Sequence, residues 1–439
     1  MSTLKNILTI NTANAGGGAE TIAYNLCHEL YNRGYNSKLL VGRADASSDP
    51  DAGRIVARVP GEKIWYEAGN FFDDVFSTQY LFYLPTWKIP LMEEVQQADV
   101  LHFHNMHGYY FNQLVLPWLM WQKPVVWTLH DMWPFTGKCS HAYDCERFTR
   151  WCGKCPQLAA YPRLRRDTTR FHLLLKKLLI APRQFVIVSP SEWLRNHIER
   201  SIFKDKPVYV IPSPIETRIF YPEPKTVARA RLQIPENKKV LLFVASWVNS
   251  IPSKGLCAFK EMLKELYSRH DDLYTLIVGH LEGQPVLGNG FIGKETGWIN
   301  DPNLMRSCYS AADIFVSPTM AENSSCTIVE AMACGTPTVA YASGGVPEQI
   351  VHKETGYLIP TGDQRSLIES VETLLAHLDD QKRMGHAAAE RAKNNYSMEL
   401  FVEKYLRVYR EAIAVKNRDR CQAIDIPVSL FPQSNRFKQ

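Results

Sequence analysis

The 439-residue chain is predicted to fold as an α/β protein of two doubly wound domains. Three observations carry that prediction. Apolar runs without polar alternation recur along the chain, as in parallel strands buried on both faces. Most are followed by a stretch whose apolar residues recur at helical spacing. A segment rich in proline and charge, IPSPIETRIFYPEPKTVARARLQIPENK over 211–238, then divides the series in two, as an interdomain linker does.

The first series opens with a strand at 6–10 and a loop of Gly16, Gly17 and Gly18. Ile22, Ala23, Leu26, Cys27 and Leu30 define a helix over 19–33, Gly34 ends it, and a strand resumes at 37–41. Strand, helix and strand follow at 99–103, 111–121 and 125–129, and again at 185–188, 192–202 and 208–211. Beyond the linker, strands are predicted at 240–245, 275–278, 314–316, 338–341 and 357–359, with 367–409 almost all helical. The expected organisation is a domain over 1–211, a linker over 212–238 and a second domain over 239–396. A helix over 397–416 should return to the first domain and leave a loose tail over 417–439. Ligands of such sheets bind beyond the carboxyl ends of the strands, so a cleft between the domains is where a site belongs.

Composition excludes several classes. The chain is 45% apolar and 22% charged, which rules out a disordered protein. Lys and Arg total 50 against 45 Asp and Glu, so wholesale binding of nucleic acid is not expected. No apolar run reaches the roughly 18 residues of a membrane span, and MSTLKNILTINTANAGGG has no signal-like apolar core. A cytoplasmic protein with reduced thiols is the expectation.

The strongest chemical signal is SPTMAENSSCTIVEAMACGTPTVAYASGGVPE over 317–348. Ser324 and Ser325 open a predicted helix that Gly335 closes; N–H groups at such a start suit phosphate oxygens. Glu322 falls in the loop before this helix and Glu330 more than a turn inside it, a spacing that fits two parts of one elongated ligand. The glycines at 16–18 let backbone approach a ligand closely, and the helix after them aims its positive end at the cleft. Lys254, in FVASWVNSIPSKG, offers positive charge. In VLHFHNMHGYY and VVWTLHDMWPFTG, His102 reads as a satisfied core residue. His130 falls at the carboxyl end of its strand.

Four of the ten cysteines lie within seventeen residues: Cys139, Cys145, Cys152 and Cys155, spaced C-x5-C-x6-C-x2-C. Four thiolates with a C-G-K-C knuckle point to a structural zinc site; free thiols and an iron–sulfur cluster remain open. The segment 163–183 holds seven Lys or Arg against one Asp, interleaved with apolar residues. Its apolar stripe is expected to pack on the sheet, with peripheral docking on an anionic membrane as the other reading. Trp65, Tyr66, Phe71, Phe72 and Phe76 are expected to pack inside their insert rather than line an acceptor groove.

At DIFVSPT, the E-x7-E of Glu322 and Glu330, EAMACGTPTVA and GGVPE, the chain resembles the retaining GT-B glycosyltransferases of family 4, also called group 1. The stretch HDMW-FTG with four cysteines and CPQL is similar to a subset serving bacterial surface-polysaccharide synthesis. The resemblance implies a GT-B fold and transfer of a hexose from a UDP- or GDP-linked sugar to a saccharide or lipid-linked saccharide. It implies no catalytic cofactor and metal-independent donor binding. His130, Glu322 and Lys254 would be catalytic. Gly16, Gly17, Gly18, Ser324, Ser325, Cys326, Glu330 and Lys294 would hold the donor. His104, Asp131 and Trp133 would face the acceptor. Peripheral attachment at the inner membrane face through 163–183 fits a lipid-linked acceptor.

The family's usual Arg is replaced here by Ser246 or Trp247, so either Lys294 or Arg306 takes its place or phosphate binding relies more on helix termini. A nucleotide-sugar epimerase of the same fold and a silent sugar-nucleotide-binding subunit remain alternatives.

Overall fold

The computed structural model describes residues 4–45, 50–59, 61, 63–108, 110–245, 254–280, 285–288 and 290–424, with side chains to 418. In the amino-terminal half the strands are β1 (Asn6–Ala13), β2 (Asn36–Arg43), β3 (Val56–Arg58), β4 (Val100–Phe103), β5 (Val125–Thr128), β6 (Val186–Ser189) and β7 (Val208–Val210). Its helices are α1 (Gly18–Asn32), α2 (Ala52–Ile55), α3 (Lys63–Phe76), α4 (Glu93–Gln97), α5 (Leu116–Gln122), α6 (Thr169–Leu179) and α7 (Glu192–Ile198). The second half carries β8 (Lys239–Val244), β9 (Leu273–Val278), β10 (Gly293–Glu295), β11 (Ile314–Ser317), β12 (Thr338–Tyr341) and β13 (Gly356–Ile359). With them are α8 (Lys225–Leu232), α9 (Leu256–Tyr267), α10 (Pro302–Ala311), α11 (Cys326–Ala333), α12 (Val346–Gln349), α13 (Gln364–Ala376), α14 (Leu378–Tyr396) and α15 (Met398–Ile424).

The strands form two all-parallel sheets, ordered β3-β2-β1-β4-β5-β6-β7 and β10-β9-β8-β11-β12-β13. Strand order reverses between β1 and β4 in one sheet and between β8 and β11 in the other. At such a switch point neighbouring loops leave in opposite directions and open a crevice. The glycine loop and His104 follow the first pair of strands; Lys254 and Glu322 follow the second. Central strands such as β4, β5, β11 and β12 are buried along their whole length, which explains their unalternating sequences.

The chain crosses between the sheets twice, and the two crossings lie side by side. Ile215 N–H donates to the Tyr396 carbonyl at 2.7 Å, and Ile215 bridges Ser397. α15 then lies on the first sheet, where Phe401, Val402, Tyr405 and Tyr409 pack with Ile7, Val100, Val126 and Val188. Each buried side chain of this size contributes about 1.5–3 kcal/mol.

Several expectations change. The chain does not loosen at 417, because α15 continues to Ile424. The helix expected over 111–121 is a 3-10 turn, Gln113–Val115, followed by α5. α6 turns only part of its apolar stripe inward: Leu173, and Ile180 at its end, are buried, with Leu179 and Ile180 packed on the core, while Thr169, His172 and Lys176 are also buried and Phe171, Leu174 and Leu178 are exposed. Lys176 Nζ is satisfied there by the carbonyls of Trp133 and Thr136, and it lies 3.7 Å from the Trp133 ring centre. Trp65, Phe71 and Phe76 are exposed rather than packed in the insert.

The zinc expectation is not supported. Among the described residues no group of three or more His, Cys, Asp or Glu is arranged to hold a metal ion. None of the four cysteines is in a disulfide, and burial pushes Cys139 up to about 12 and Cys152 to about 11. What ties the loop is a cation already in the chain. Lys138 Nζ, almost fully buried, donates to the carbonyls of Gln157, Leu158 and Ala160.

Candidate functional site

Glu322 and Lys254 meet at the second switch point. Lys254 Nζ donates to Glu322 Oε2 at 2.8 Å, while the N–H of Asn323 donates to Oε1 at 3.2 Å. The carboxylate beside Lys254 raises its pKa above the ordinary value, so Lys254 is protonated and forms an ion pair with Glu322. The loop reaches this position because Gly344 and Gly345 lack side chains. A Cβ on Gly344 would lie 1.7 Å from the Glu322 carbonyl, and one on Gly345 2.0 Å from that of Asn323.

The serine pair starts its helix as expected. Ser325 is the N-cap of α11, its hydroxyl accepting from Ile328 N–H, and its own N–H donates to Gln349 Oε1. Ser324 is half-buried just before it. Inside α11, Glu330 Oε2 accepts from the Tyr309 hydroxyl at 2.6 Å. Burial raises the Glu330 pKa, and the Tyr309 bond offsets part of that rise.

Across the crevice, α1 begins after Gly17 with no side-chain cap. Gly16 has φ +107, and a Cβ on Gly18 would stand 3.2 Å from Cys326 Sγ. The glycine loop of one domain and the start of α11 in the other are therefore adjacent.

His130 follows β5 and is half-buried; its carbonyl accepts from Asn323 Nδ2 at 3.0 Å. Asn323 Oδ1 in turn accepts from the Ser191 hydroxyl at 2.6 Å. Burial lowers the His130 pKa to about 4, so its ring is neutral at neutral pH.

Other predicted positions fall elsewhere. His104 is 1% exposed and lies beneath His130 instead of facing an acceptor. Trp133 is fully buried, its indole N–H donating to Gln79 Oε1. Asp131 binds His107 Nε2 with one oxygen and the Trp133 N–H with the other, at 2.9 Å each. Lys294 donates to the Leu232 carbonyl at 3.1 Å. Arg306 is buried against the Ile219 carbonyl and Asn303, so neither it nor Lys294 stands in for the missing Arg. Ser246 and Trp247 lie outside the described residues. His102 is the satisfied core histidine expected, bonded to Thr128 and Tyr409.

Two residues went unassigned from sequence. Asn323 joins Glu322, His130 and Ser191, and Glu348 places both carboxylate oxygens on the Glu192 and Trp193 N–H groups, 2.8 Å each, at the start of α7. The GGVPE motif marked Glu348, but only the fold reveals that its partner lies in the other domain.

Two family models match the chain: "Glycosyltransferase Family 4" over residues 16–219 and "Glycosyl transferases group 1" over 224–391. The chain is 22% identical over 429 residues to a D-inositol 3-phosphate glycosyltransferase of Kineococcus radiotolerans, covering 92% of each. Sucrose-phosphate synthase from Thermosynechococcus elongatus superposes with a TM-score of 0.68 at 19% identity, over 93% of this chain and 99% of that one. Anabaena Alr3699/HepE in complex with UDP-glucose gives 0.64 at 15% identity, over 92% and 99%.

Proposed function

Because the chain belongs to the group 1, family 4 glycosyltransferases and has their GT-B fold, we propose that it moves a hexose from a UDP- or GDP-linked sugar to a saccharide or lipid-linked saccharide, with retention at the anomeric carbon. The observation that carries this reading is the meeting of Lys254, Glu322 and the start of α11 opposite the uncapped start of α1. Positive charge and two helix N-termini gathered at one crevice suit a diphosphate. The UDP-glucose complex of the similar Anabaena protein points the same way.

In this reading Glu330 holds the ribose and the backbone around Ser324–Cys326 holds the distal phosphate. Gly16, Gly17 and Gly18 border the diphosphate. Glu322 and His130 contact the sugar, and Lys254 stabilises the negative charge that develops on the leaving phosphate. Donor binding needs no metal, since cationic and N–H groups of the chain meet the diphosphate. Double displacement would need a free carboxylate against the anomeric carbon. Both oxygens of Asp131 and both of Glu322 are already bonded, which favours attack from the leaving-group face. There the acceptor oxygen bonds to the anomeric carbon as the bond to phosphate breaks, and the departing phosphate oxygen takes the acceptor's proton.

A thermal-shift screen with UDP, GDP and their common sugars tests the donor. A ligand at a hundred times its Kd adds about 2.7 kcal/mol, or roughly 5–10 °C at about 2–4 °C per kcal/mol for a domain of this size. The stabilising donor is then supplied with saccharide acceptors and the product anomer read by NMR. An epimerised sugar formed without acceptor, or an inverted product, would overturn the proposal. Stabilisation without any transfer would instead favour the silent subunit.

The acceptor side includes a membrane. Phe171, Leu174 and Leu178 on α6 are exposed at 52%, 37% and 63%, beside exposed Arg163, Arg165, Arg166, Arg170 and Lys177. The surface continues onto α3, where Arg166 lies 5.9 Å over the Phe76 ring. Among the described residues no helix is long and apolar enough to cross a membrane, so docking would be peripheral. Apolar and cationic side chains on one face fit an anionic lipid surface. The full chain should sediment with phosphatidylglycerol vesicles and not with phosphatidylcholine ones, and Phe171→Ser with Leu178→Ser should abolish this. Equal sedimentation with both lipids would refute it.

A further inference from the structure

The contact between His104 and His130 determines which nitrogen of His130 carries its proton. His104 Nδ1 and His130 Nε2 are 2.8 Å apart. The ring planes differ by 21° and the centroids are 5.0 Å apart, the separation of two imidazoles meeting edge to edge, N–H to lone pair. Burial holds the His104 pKa well below the usual histidine range and that of His130 near 4, so both rings are neutral and one proton lies between them.

The remaining nitrogen of His104 decides the direction. His104 Nε2 is buried with no hydrogen-bond partner among the described residues, and the His104 and His102 ring centroids are 4.2 Å apart. A proton there would be an orphaned buried N–H, a rarer defect in folded proteins than an under-satisfied acceptor. The proton therefore sits on His104 Nδ1 and is donated to His130 Nε2. His104 is held in place for this: its N–H donates to the Ile10 carbonyl, and its own carbonyl accepts from the Trp127 indole at 3.0 Å. His130 must then carry its proton on Nδ1, which has no protein partner among the described residues.

We infer that His104 is a positioning residue that locks His130 in its Nδ1–H form, so that His130 offers the crevice a hydrogen-bond donor and never a base. The inference rests on reading the crevice as the donor-sugar site. It names the group His130 meets, an oxygen with a free lone pair such as a sugar hydroxyl or a phosphate oxygen. It also removes His130 from the proton bookkeeping of transfer. Its single lone pair is taken by His104, so the acceptor's proton goes to the leaving phosphate.

Long-range ¹H–¹⁵N correlation of the ligand-free, histidine-labelled full chain at pH 7 reads the tautomers directly. His104 and His130 should each show a protonated Nδ1 and a bare Nε2, assigned by the signals lost in His104→Asn and His130→Asn. A protonated Nε2 on His130 would overturn the inference, whatever the enzyme transfers. Absence of any donor binding would instead sink the reading of the site and leave the tautomer result standing.

Activity supplies the second readout. Asn places an amide near the position of an imidazole Nδ1, and Gln near that of Nε2. His130→Gln should lose about tenfold more kcat/KM than His130→Asn, as expected for one hydrogen bond lost rather than kept. A loss in His130→Asn equal to or larger than that in His130→Gln would also count against the inference.

Discussion

Tyr309→Phe isolates one hydrogen bond in the proposed ribose site. The ring is fully buried, edge-on to Phe315 at 5.8 Å and near Phe220 at 6.3 Å, and Phe keeps those contacts. Only the hydroxyl that donates to Glu330 Oε2 is lost. A hydrogen bond to a charged group contributes about 1.5–3 kcal/mol net, which lowers Tm by roughly 3–12 °C at about 2–4 °C per kcal/mol. The pH dependence carries a sign. Burial raises the folded-state pKa of Glu330 above 4.5, and the Tyr309 bond limits that rise. Removing the bond lets the pKa climb further, so the variant's deficit is full where Glu330 is ionised. It shrinks as pH falls through the raised pKa, where both proteins hold a neutral acid. Thermal unfolding from pH 7.5 down to 4.5 measures this. A fall in Tm below about 1 °C at pH 7.5, or a deficit constant with pH, would refute the assignment of an ionised Glu330 bonded to Tyr309.

Lys254→Met should reduce transfer by about 10²–10³, the usual loss when one preorganised charge-stabilising group is removed, and a variant within tenfold of the parent would count against its role at the leaving phosphate. Lys138→Met leaves three carbonyls of the cysteine insert without their donor, so limited proteolysis should cut within 139–165 faster than in the parent. Asp313→Asn strips the buried Arg229 of its carboxylate partner at 2.8 Å and also weakens the bonds from Lys225 and the Val240 N–H; urea unfolding should show a loss of about 3–5 kcal/mol, as for a broken buried pair.

The fold was legible because its signals are local. Unalternating strands such as VVWT and TVAY, and helix ends such as Gly34 at φ +86 and Gly335 at φ +73, are written in consecutive residues. Glu322, Ser325 and Glu330 were legible for the same reason, since one loop and one helix carry all three. His104 was expected at the acceptor because strand alternation gives the face of a side chain but not its depth; its ring lies buried between those of His102 and His130. α6 was read only in part because a hydropathy pattern assumes that polar residues turn outward. Here His172 and Lys176 are buried beside Leu173, satisfied by the carbonyls of Ser77, Trp133 and Thr136, long-range partners invisible in sequence. The four cysteines have metal-like spacing, but spacing does not report that Lys138 already ties the loop.

The remaining question is why the crevice should favour an anion when several helices start near it. The start of α7 is neutralised from the other domain, where Glu348 places an oxygen on each of two N–H groups. The same carboxylate, with the Ser191–Asn323 bond, joins the domains without using a residue assigned to the donor. Of the other starts, α9 follows Lys254 and Gly255 without a side-chain cap, α1 starts at glycine without one but carries Glu20 in its first turn, and α11 has the uncharged cap Ser325. The starts of α1 and α11 face each other across Gly18 and Cys326, with the Lys254–Glu322 ion pair beside Cys326. A carboxylate thus meets a helix start where the domains touch, while the start of α11, where the distal phosphate would lie, has no charged cap. The absence of a side chain at Gly18 is part of that arrangement, because a Cβ there would occupy space between the two helix starts.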